Sequence, residues 1–552
     1  MVNNHQSSVT GVSRADELWQ QGFDRMQRQE YPEAVRLLQQ ALALDRQQGA
    51  GLSLEIMLYL AEAYKLNNQL WLAADMINKA CHQLAKEQNR GTAEFQLRLR
   101  MRQGEYNRAA GNIPEAMEGY RQSAELYEAN DIWHRSEAYG SWLLTLACLE
   151  VNATEMQQAC LGYNKLFTDM QVLPQRDNRQ RYWQDGLAKI KLGYISADFR
   201  QHVMFSFYYV MLRRYNRERF EVTCYSLGEK ADDYTEHLKT LVDNWQDVQG
   251  KSLPELAEII RQDRIDILVD LSGHSSGSAL PVFVLRPAPV QISGLGWMES
   301  TGFFCTDYLL TDRYLEGFAG EYEQYLAEKP FYLTSQFCYT GRSDVPEPAG
   351  APCMKKGYIT FGSFNAYHKI TSEIVELWSR ILQLVPESRL LLKCYAFIDE
   401  MLQREIVGRF ARCGIGQERL LLEPATTNYM NRYLEVDIAL DTYPYTGGGT
   451  TLDALYMGVP VISRYGERRS SRFGLSILSN AGLGMLAAAS PDEYVDLAVS
   501  LAQDWQLLNE FHVNLRCMLQ TAGIMNGKKY MQELEAGYEN IMANIIGGKL
   551  NV

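Results

Sequence analysis

Asp441-Thr442-Tyr443-Pro444-Tyr445-Thr446-Gly447-Gly448-Gly449-Thr450-Thr451-Leu452-Asp453-Ala454-Leu455 follows directly on the apolar run Val436-Asp437-Ile438-Ala439-Leu440. The run reads as a buried parallel strand that ends in an acid. Three glycines, two threonines and a helical pattern through Leu455 and Met457 follow, so the order is strand, tight turn, helix start. Such a helix start presents unpaired N–H groups and a positive dipole end, which suits a phosphate. Glycine lets the backbone approach a ligand closely. Thr450 or Thr451 is expected to cap the helix while offering a hydroxyl to an anion. Asp453, in the first turn, is placed to accept hydrogen bonds from a sugar diol. A Gly-rich turn capped by threonine is the plain alternative; the strand before it and the helix after it favour the ligand-binding reading.

Outward from this stretch, short apolar strands alternate with helical segments in two series. The first comprises Lys191–Ser196, Phe220–Tyr225, Ile265–Asp270 and Val290–Ser293. The second comprises Tyr358–Phe361, Arg389–Lys393, Arg419–Glu423, Val436–Leu440 and Val459–Ser463. Alternation of this kind predicts parallel sheets wrapped by helices. The break Pro346-Glu347-Pro348-Ala349-Gly350-Ala351-Pro352 separates the series. Two Rossmann-like lobes are therefore expected, at 190–345 and 357–546, joined by a hinge at 346–356. Their cleft faces the carboxyl ends of the strands, where such folds bind ligands.

Two further clusters follow predicted strands. Ser196-Ala197-Asp198-Phe199-Arg200-Gln201-His202 brings an acid and an imidazole four residues apart, suited to act as a base or to orient an acceptor hydroxyl. A capping acid and a solvent-facing ring are the plain alternative. Phe361-Gly362-Ser363-Phe364-Asn365-Ala366-Tyr367-His368-Lys369 places Lys369 where it can neutralise a diphosphate leaving group as a point charge. Two weaker glycine-containing loops, Asp270–Gly277 with His274 and Gly294–Gly302 with Gly296, Trp297 and Thr301, are expected to line the acceptor side of the same cleft. No metal-ligand spacing occurs among the eight histidines and ten cysteines, so neither a structural nor a catalytic metal is expected.

Residues 14–170 read as helix after helix, with Pro114 the only proline between residues 33 and 173. Ala34, Leu38 and Ala41 recur as Ala73, Ile77 and Ala80 and again as Ala116, Tyr120 and Ser123; Gly22, Ala61 and Gly104 hold matching small positions upstream. The steps of 39 and 43 residues exceed the ~34 of a tetratricopeptide repeat. Small residues at fixed places let paired helices cross closely, and stacked pairs bury a continuous core. The expected fold is thus a TPR-like helical repeat, with a fourth pair at 136–168, followed by the two α/β lobes. An irregular helical bundle is the alternative. A concave repeat surface suits an extended polypeptide or partner protein. Residues 171–189 read as a polar linker.

The bulk properties set limits. The 552-residue chain is 46% hydrophobic, enough for several cores, and carries a net charge of −13. That charge argues against nonspecific nucleic-acid binding and a polybasic membrane contact. No CxxC pair occurs, and the scattered cysteines fit reduced thiols of a cytoplasmic protein. The polar start, Met1-Val2-Asn3-Asn4-His5-Gln6, has no apolar core of a secretory signal, and no uninterrupted apolar run of about 18 residues predicts a membrane span.

Gly193–His202, Leu285-Arg286-Pro287-Ala288-Pro289-Val290-Gln291, Phe364-Asn365 with Lys369, and Leu440-Asp441-Thr442 through Gly458-Val459-Pro460 together resemble the O-GlcNAc transferase family. These are the protein glycosyltransferases of family 41, which also includes bacterial N-glucosyltransferases of adhesins. The resemblance covers about residues 190–545, with the helical repeats in the place of that family's tetratricopeptide array. It implies a GT-B fold, a UDP-sugar donor that is substrate rather than cofactor, inversion at the anomeric carbon and no metal. By motif, Lys369 matches the lysine on the donor phosphates, Thr450 and Thr451 the threonines under the diphosphate, and Asp453 the acid that holds the ribose hydroxyls. Asn365, Gly448 and Gly449 belong to the same donor site. His202 matches an essential histidine, Asp198 a carboxylate proposed to assist proton removal, and Tyr429 an aromatic ring stacked on uracil.

The chain departs from the family pattern in places. Gly449 stands where animal enzymes carry histidine, Ala366 replaces a glutamine, and Trp297-Met298-Glu299-Ser300 replaces a Tyr-Pro-Gly-Thr type of loop. The large insertion between the lobes of animal enzymes is missing, which points to a bacterial-type member. The expected activity is transfer of a sugar, GlcNAc first, from a UDP donor to Ser or Thr of a polypeptide guided by the repeats. A UDP-glucose-dependent Asn N-glucosyltransferase is one alternative, although its familiar members have a different helical N-terminal domain. A non-catalytic repeat scaffold with relic lobes is another; Lys369, His202, Asp198 and Asp453 standing together count against it.

Overall fold

The computed structural model describes residues 13–48, 51–87, 91–128, 131–170, 172–173 and 189–547. The polar start and most of the expected linker 171–189 lie outside the described residues. The chain divides into two compact units, one of Met1–Leu126 with Tyr395–Ile406, the other of Tyr127–Cys394 with Val407–Val552.

In the first unit, helices pair as Arg14–Gln27 with Tyr31–Gln48, Ser53–Leu66 with Leu70–Lys86, and Ala93–Ala110 with Ile113–Leu126. The turns fall where the sequence places them. The last is made by Gly111 in the left-handed region, φ 82°, which ends its helix without a Cβ clash. The repeated small residues do what their spacing requires. A β-carbon on Gly22 would stand 2.7 Å from Leu38 Cγ, and one on Gly104 only 2.5 Å from the Tyr120 ring. Leu38 and Tyr120 are the aligned large positions of the partner helices, and both are buried. Tyr395–Ile406 is held to this unit by Asp399, which accepts the Trp71 N–H at 2.8 Å, and by Tyr395, which donates to Asn68 Oδ1 at 3.0 Å.

The second unit holds two parallel sheets. The first contains β1 (Ile190–Ser196), β2 (Phe220–Ser226), β3 (Asn244–Asp247), β4 (Ile267–Asp270), β5 (Val290–Ser293), β6 (Tyr308–Thr311) and β7 (Lys329–Tyr332), in the order β3-β2-β1-β4-β5-β6-β7. The second contains β8 (Thr360–Ser363), β9 (Arg389–Lys393), β10 (Leu420–Glu423), β11 (Ile438–Leu440), β12 (Val461–Arg464) and β13 (Ala487–Ala488), in the order β10-β9-β8-β11-β12-β13. Each is the doubly wound order, with its direction of growth reversing beside the first strand of the lobe. The central strands are mostly apolar because helices cover both faces; β4 and β8 are buried along their whole length.

Two findings redraw the expected boundaries. The fourth helical pair, Ile132–Leu146 and Ala153–Leu161, is present but belongs to the second unit. Ile132, Tyr163, Leu166 and Phe167 share one apolar core with Ile195, Tyr225, Leu268 and Phe283 of the first lobe. The final helix, Gly527–Ile546, follows the second lobe in sequence yet packs on the first sheet. Tyr538 meets Phe220 and Phe331 edge to face, and a β-carbon on Gly537 would strike Phe331 at 2.1 Å. Apolar packing, rather than chain order, decides where this helix rests.

The lobes are fastened to each other through a run of arginines after β12. Arg469 Nε pairs with Glu316 Oε1 at 2.6 Å, both buried. Ser476 donates to Asp312 at 2.6 Å, and the Ser470 N–H to Glu299 at 3.2 Å. Arg468 donates to the Ala147 carbonyl at 3.1 Å, while Gly140 lies against the His274 carbonyl, so the 132–161 helix pair touches both lobes. Breaking one member of a buried ion pair such as Arg469–Glu316 costs about 3–5 kcal/mol.

Candidate active site

In the second sheet, β8 and β11 are neighbours at the reversal point, so the loops after them face each other. The loop after β11 is folded around Asp441. Its Oδ1 accepts the N–H of Thr442 at 2.8 Å and of Gly447 at 2.7 Å, and its Oδ2 accepts the Ser463 hydroxyl at 2.7 Å. Burial pushes the Asp441 carboxyl up, and these donors with the Lys369 charge oppose that. The strand-ending acid is therefore the staple of the glycine loop, a role the local sequence did not reveal.

The helix Gly449–Tyr456 begins from Gly448 with no side-chain cap. This corrects the expectation that Thr450 or Thr451 caps it: both lie inside the helix. Thr450 Oγ1 donates to Asn365 Oδ1 at 3.2 Å, and Thr451 Oγ1 to the Gly447 carbonyl at 3.0 Å. The positive end of the helix dipole thus opens onto the crevice beside the loop after β8.

Lys369 ends the short 3₁₀ turn Tyr367–Lys369 in that loop. Its ammonium donates to the Thr446 carbonyl at 3.1 Å and stands 3.7 Å from the centre of the Tyr445 ring. Burial lowers its pKa, and the nearby Asp441 carboxylate opposes the shift. The side chain is half-buried, a cation held at the crevice by an aromatic face and a carbonyl. Asn365 links the two loops, bonding Thr450 through its oxygen and lying 3.4 Å from Asp441 through its amide nitrogen.

Asp453 sits one turn deeper and is buried. The Tyr339 hydroxyl donates to Oδ1 at 2.7 Å and the Tyr429 hydroxyl to Oδ2 at 2.6 Å. Burial raises the pKa of Asp453; the two hydroxyls and Arg342 pull it back. Tyr429 is thus tied to the acid through its hydroxyl. Tyr339, which sequence reasoning missed, reaches Asp453 from the end of the first lobe. A carboxylate offers about four lone-pair sites, so two hydroxyls orient it and leave two for a diol.

The first lobe contributes its own reversal point, after β1. Asp198 is buried, and its Oδ2 stands 3.6 Å from His202 Nδ1. The same nitrogen is 3.4 Å from the N–H of Met204. Two options compete at Nδ1: a lone pair for Met204, or a proton for Asp198. The second frees Nε2 to accept a proton. Burial lowers the His202 pKa, Asp198 opposes this, and Arg200 adds to it. Val203, the next residue, comes down on the helix start of the second lobe: a β-carbon on Gly449 would meet its Cγ2 at 2.5 Å. The structure thereby brings the Asp198–His202 loop and the glycine loop together.

The residues expected on the acceptor side are held by the packing of the first lobe. His274 Nε2 bonds the Thr301 carbonyl at 2.7 Å, its ring packs edge to face on Tyr163 and Trp297, and burial lowers its pKa to about 4. Trp297 is buried and donates to the Ser300 carbonyl at 2.9 Å; Thr301 is buried, and its N–H bonds Glu328 at 2.7 Å. A β-carbon on Gly296 would lie 2.2 Å from the Leu271 carbonyl oxygen. Gly296, Trp297 and Thr301 pack the lobe internally, while His274 also lines a cavity of the lobe. From this loop it is Met298 that faces the glycine turn, its Cε 3.9 Å from a β-carbon on Gly448.

Among the described residues no group of three or more His, Cys, Asp or Glu is arranged to hold a metal ion, and no helix is long and apolar enough to cross a membrane.

Comparisons with known proteins place the chain in a family. The family model described as "Glycosyl transferase family 41" matches residues 151–344 and 353–534. "Probable UDP-N-acetylglucosamine--peptide N-acetylglucosaminyltransferase SPINDLY" of Arabidopsis thaliana is 34% identical over 369 residues, 65% of this chain and 40% of that protein. The corresponding protein SEC of the same plant is 30% identical over 367 residues, 64% of this chain and 37% of its own length. The chain thus spans about two fifths of these relatives. A mutant of Thermobaculum terrenum O-GlcNAc transferase superposes with a TM-score of 0.81 at 27% identity, over 98% of this chain and 100% of that one. With both lobes matched by the family model and the helical region included in the structural match, the chain belongs to glycosyl transferase family 41.

Proposed function

We propose that the protein transfers a sugar, GlcNAc first, from a UDP-linked donor to a Ser or Thr hydroxyl of a polypeptide, with inversion and without a metal. One observation carries this reading: Lys369, an uncapped helix start and the diol-ready Asp453 surround one crevice, and Val203 carries the Asp198–His202 loop onto it. The acceptor oxygen attacks the anomeric carbon, and the bond from that carbon to the β-phosphate oxygen breaks. The departing UDP takes the electron pair, and its charge is met by the Lys369 ammonium and the helix dipole. The hydroxyl proton goes to the Asp198–His202 pair, whose histidine is held neutral by burial. The helical repeats guide the polypeptide. No disulfide joins cysteines among the described residues, which fits a cytoplasmic setting.

The test is mass spectrometry of host-lysate proteins incubated with the purified protein, EDTA and UDP-GlcNAc, UDP-glucose or GDP-linked sugars in turn. A HexNAc mass gain mapped to Ser or Thr is expected. A hexose on Asn, or transfer from a purine nucleotide alone, would replace the donor and acceptor named here. Loss of turnover in EDTA would contradict the metal-free reading.

A further inference from the structure

The first lobe has a cavity of about 460 Å³ that the donor site does not use, within the ~300–1,000 Å³ of small-ligand sites. Loops at the carboxyl ends of β2, β3 and β4 enclose it with the helix Ile132–Leu146. Its apolar wall is Trp133, Tyr163, Leu227 and Pro281; Gln249 and Lys251 stand at its rim, and Glu137 and Glu255 also line it. The wall is firm where it is aromatic: Tyr163 is buried and packs edge to face on His274, Phe167 and Phe303. The cavity lies beside the proton-accepting pair. Gly277, in its floor, would carry a β-carbon 3.1 Å from Ala197 Cβ, and Ala197 directly precedes Asp198.

Building on the glycosyltransferase reading, we infer that this cavity receives an aromatic or aliphatic side chain of the acceptor polypeptide, close in sequence to the modified hydroxyl. Carboxyl-end crevices of parallel sheets are where such lobes bind ligands, and the second lobe's crevice is given to the nucleotide. An extended chain advances about 3.3 Å per residue. A side chain seated here therefore lies within a few residues of a hydroxyl presented to Asp198 and His202. Ring faces and aliphatic edges match aromatic or branched side chains, and the carboxylates of Glu137 and Glu255 disfavour acidic ones. His274 lines this cavity itself, and Trp297 and Thr301 serve acceptor choice indirectly, by holding His274 in place.

The experiment reads retention of peptides rather than sugar transfer. The full chain, immobilised and saturated with UDP, is offered an equimolar library of peptides with one central Ser or Thr and degenerate flanks. Retained peptides are sequenced. Wild type is expected to enrich Phe, Tyr, Trp or Leu at one flanking position about tenfold. Gln249→Trp, an exposed rim position filled with a ring, is expected to abolish that enrichment, and Trp133→Ala to weaken it; UDP affinity measured on each variant reports folding. Retention without side-chain preference, no retention at all, or equal enrichment by wild type and Gln249→Trp would overturn the assignment. Peptides retained with this preference but never glycosylated would count against the glycosyltransferase reading alone.

Discussion

The Tyr339 hydroxyl donates to Asp453 Oδ1 at 2.7 Å across 114 residues of sequence, from the end of the first lobe to the second turn of the second lobe's glycine-loop helix. With Tyr429 on the other oxygen, it fixes the carboxylate in one orientation. Hydrogen bonds to charged groups contribute ~1.5–3 kcal/mol. Tyr339→Phe keeps the ring and removes only the donor. It is expected to weaken UDP binding about tenfold by calorimetry and to raise the donor KM with little change in kcat. An unchanged UDP affinity would show that Asp453 needs no orientation from the first lobe.

Lys369→Ala removes the one ammonium that the site presents between Tyr445 and the Thr446 carbonyl. Loss of one preorganised group at developing negative charge lowers kcat about 10²–10³-fold. Steady-state kinetics should show that loss mainly in kcat, because the charge forms as the bond breaks. Lys369→Arg is expected to fail to rescue, since a planar guanidinium does not fit the pocket of a compact ammonium. Full activity in Lys369→Arg would mean that the position supplies only a general positive field.

Burial lowers the pKa of His202, and the Asp198 carboxylate opposes it. The neutral imidazole that accepts a proton therefore persists below the ordinary value of about 6.5. The acid limb of kcat/KM should fall below that value, with activity lost as pH drops through the folded-state pKa. Asp198→Asn removes the opposing carboxylate, so the acid limb should move to still lower pH. A shift to higher pH, or a profile unchanged in His202→Ala, would remove the histidine from proton transfer.

Gly104 meets the Tyr120 ring where two repeat helices cross. Overpacking a close contact costs about 1–3 kcal/mol. Gly104→Ala should lower the thermal midpoint of the helical unit while leaving UDP affinity unchanged. An unshifted midpoint would mean that the helices separate there at no cost.

The elements that could be read in the sequence were those whose cause is local. Apolar runs between helical stretches revealed β1, β2, β4, β5 and β8 through β12, because a strand covered on both faces has no polar side to disguise it. β6, Tyr308-Leu309-Leu310-Thr311, was missed although it is apolar and buried; the other missed strands lack that signature. β3 is the polar edge Asn244-Trp245-Gln246-Asp247, β7 carries Pro330, and β13 has two residues. At the site, Lys369, Asn365, Asp453, Asp198 and His202 announce themselves by standing just after strands. Tyr339 does not, because its partner is remote in sequence.

The threonine cap failed for a related reason. A Gly-Gly-Gly-Thr-Thr run does not show which residue starts the helix, and the Asp441 staple sets that start at Gly448. Near Trp297 the glycines also have a packing cause. A β-carbon on Gly273 would lie 2.1 Å from Trp297 Cβ, so this glycine makes room for the tryptophan.

The most direct measurement is a crystal structure of the protein with UDP. The account predicts the diphosphate between Lys369 Nζ and the N–H groups of Gly449 and Thr450, with the ribose hydroxyls on Asp453 and the Tyr339 bond retained. UDP bound away from this crevice, or a diphosphate that leaves Lys369 on the Thr446 carbonyl and the helix start empty, would contradict it.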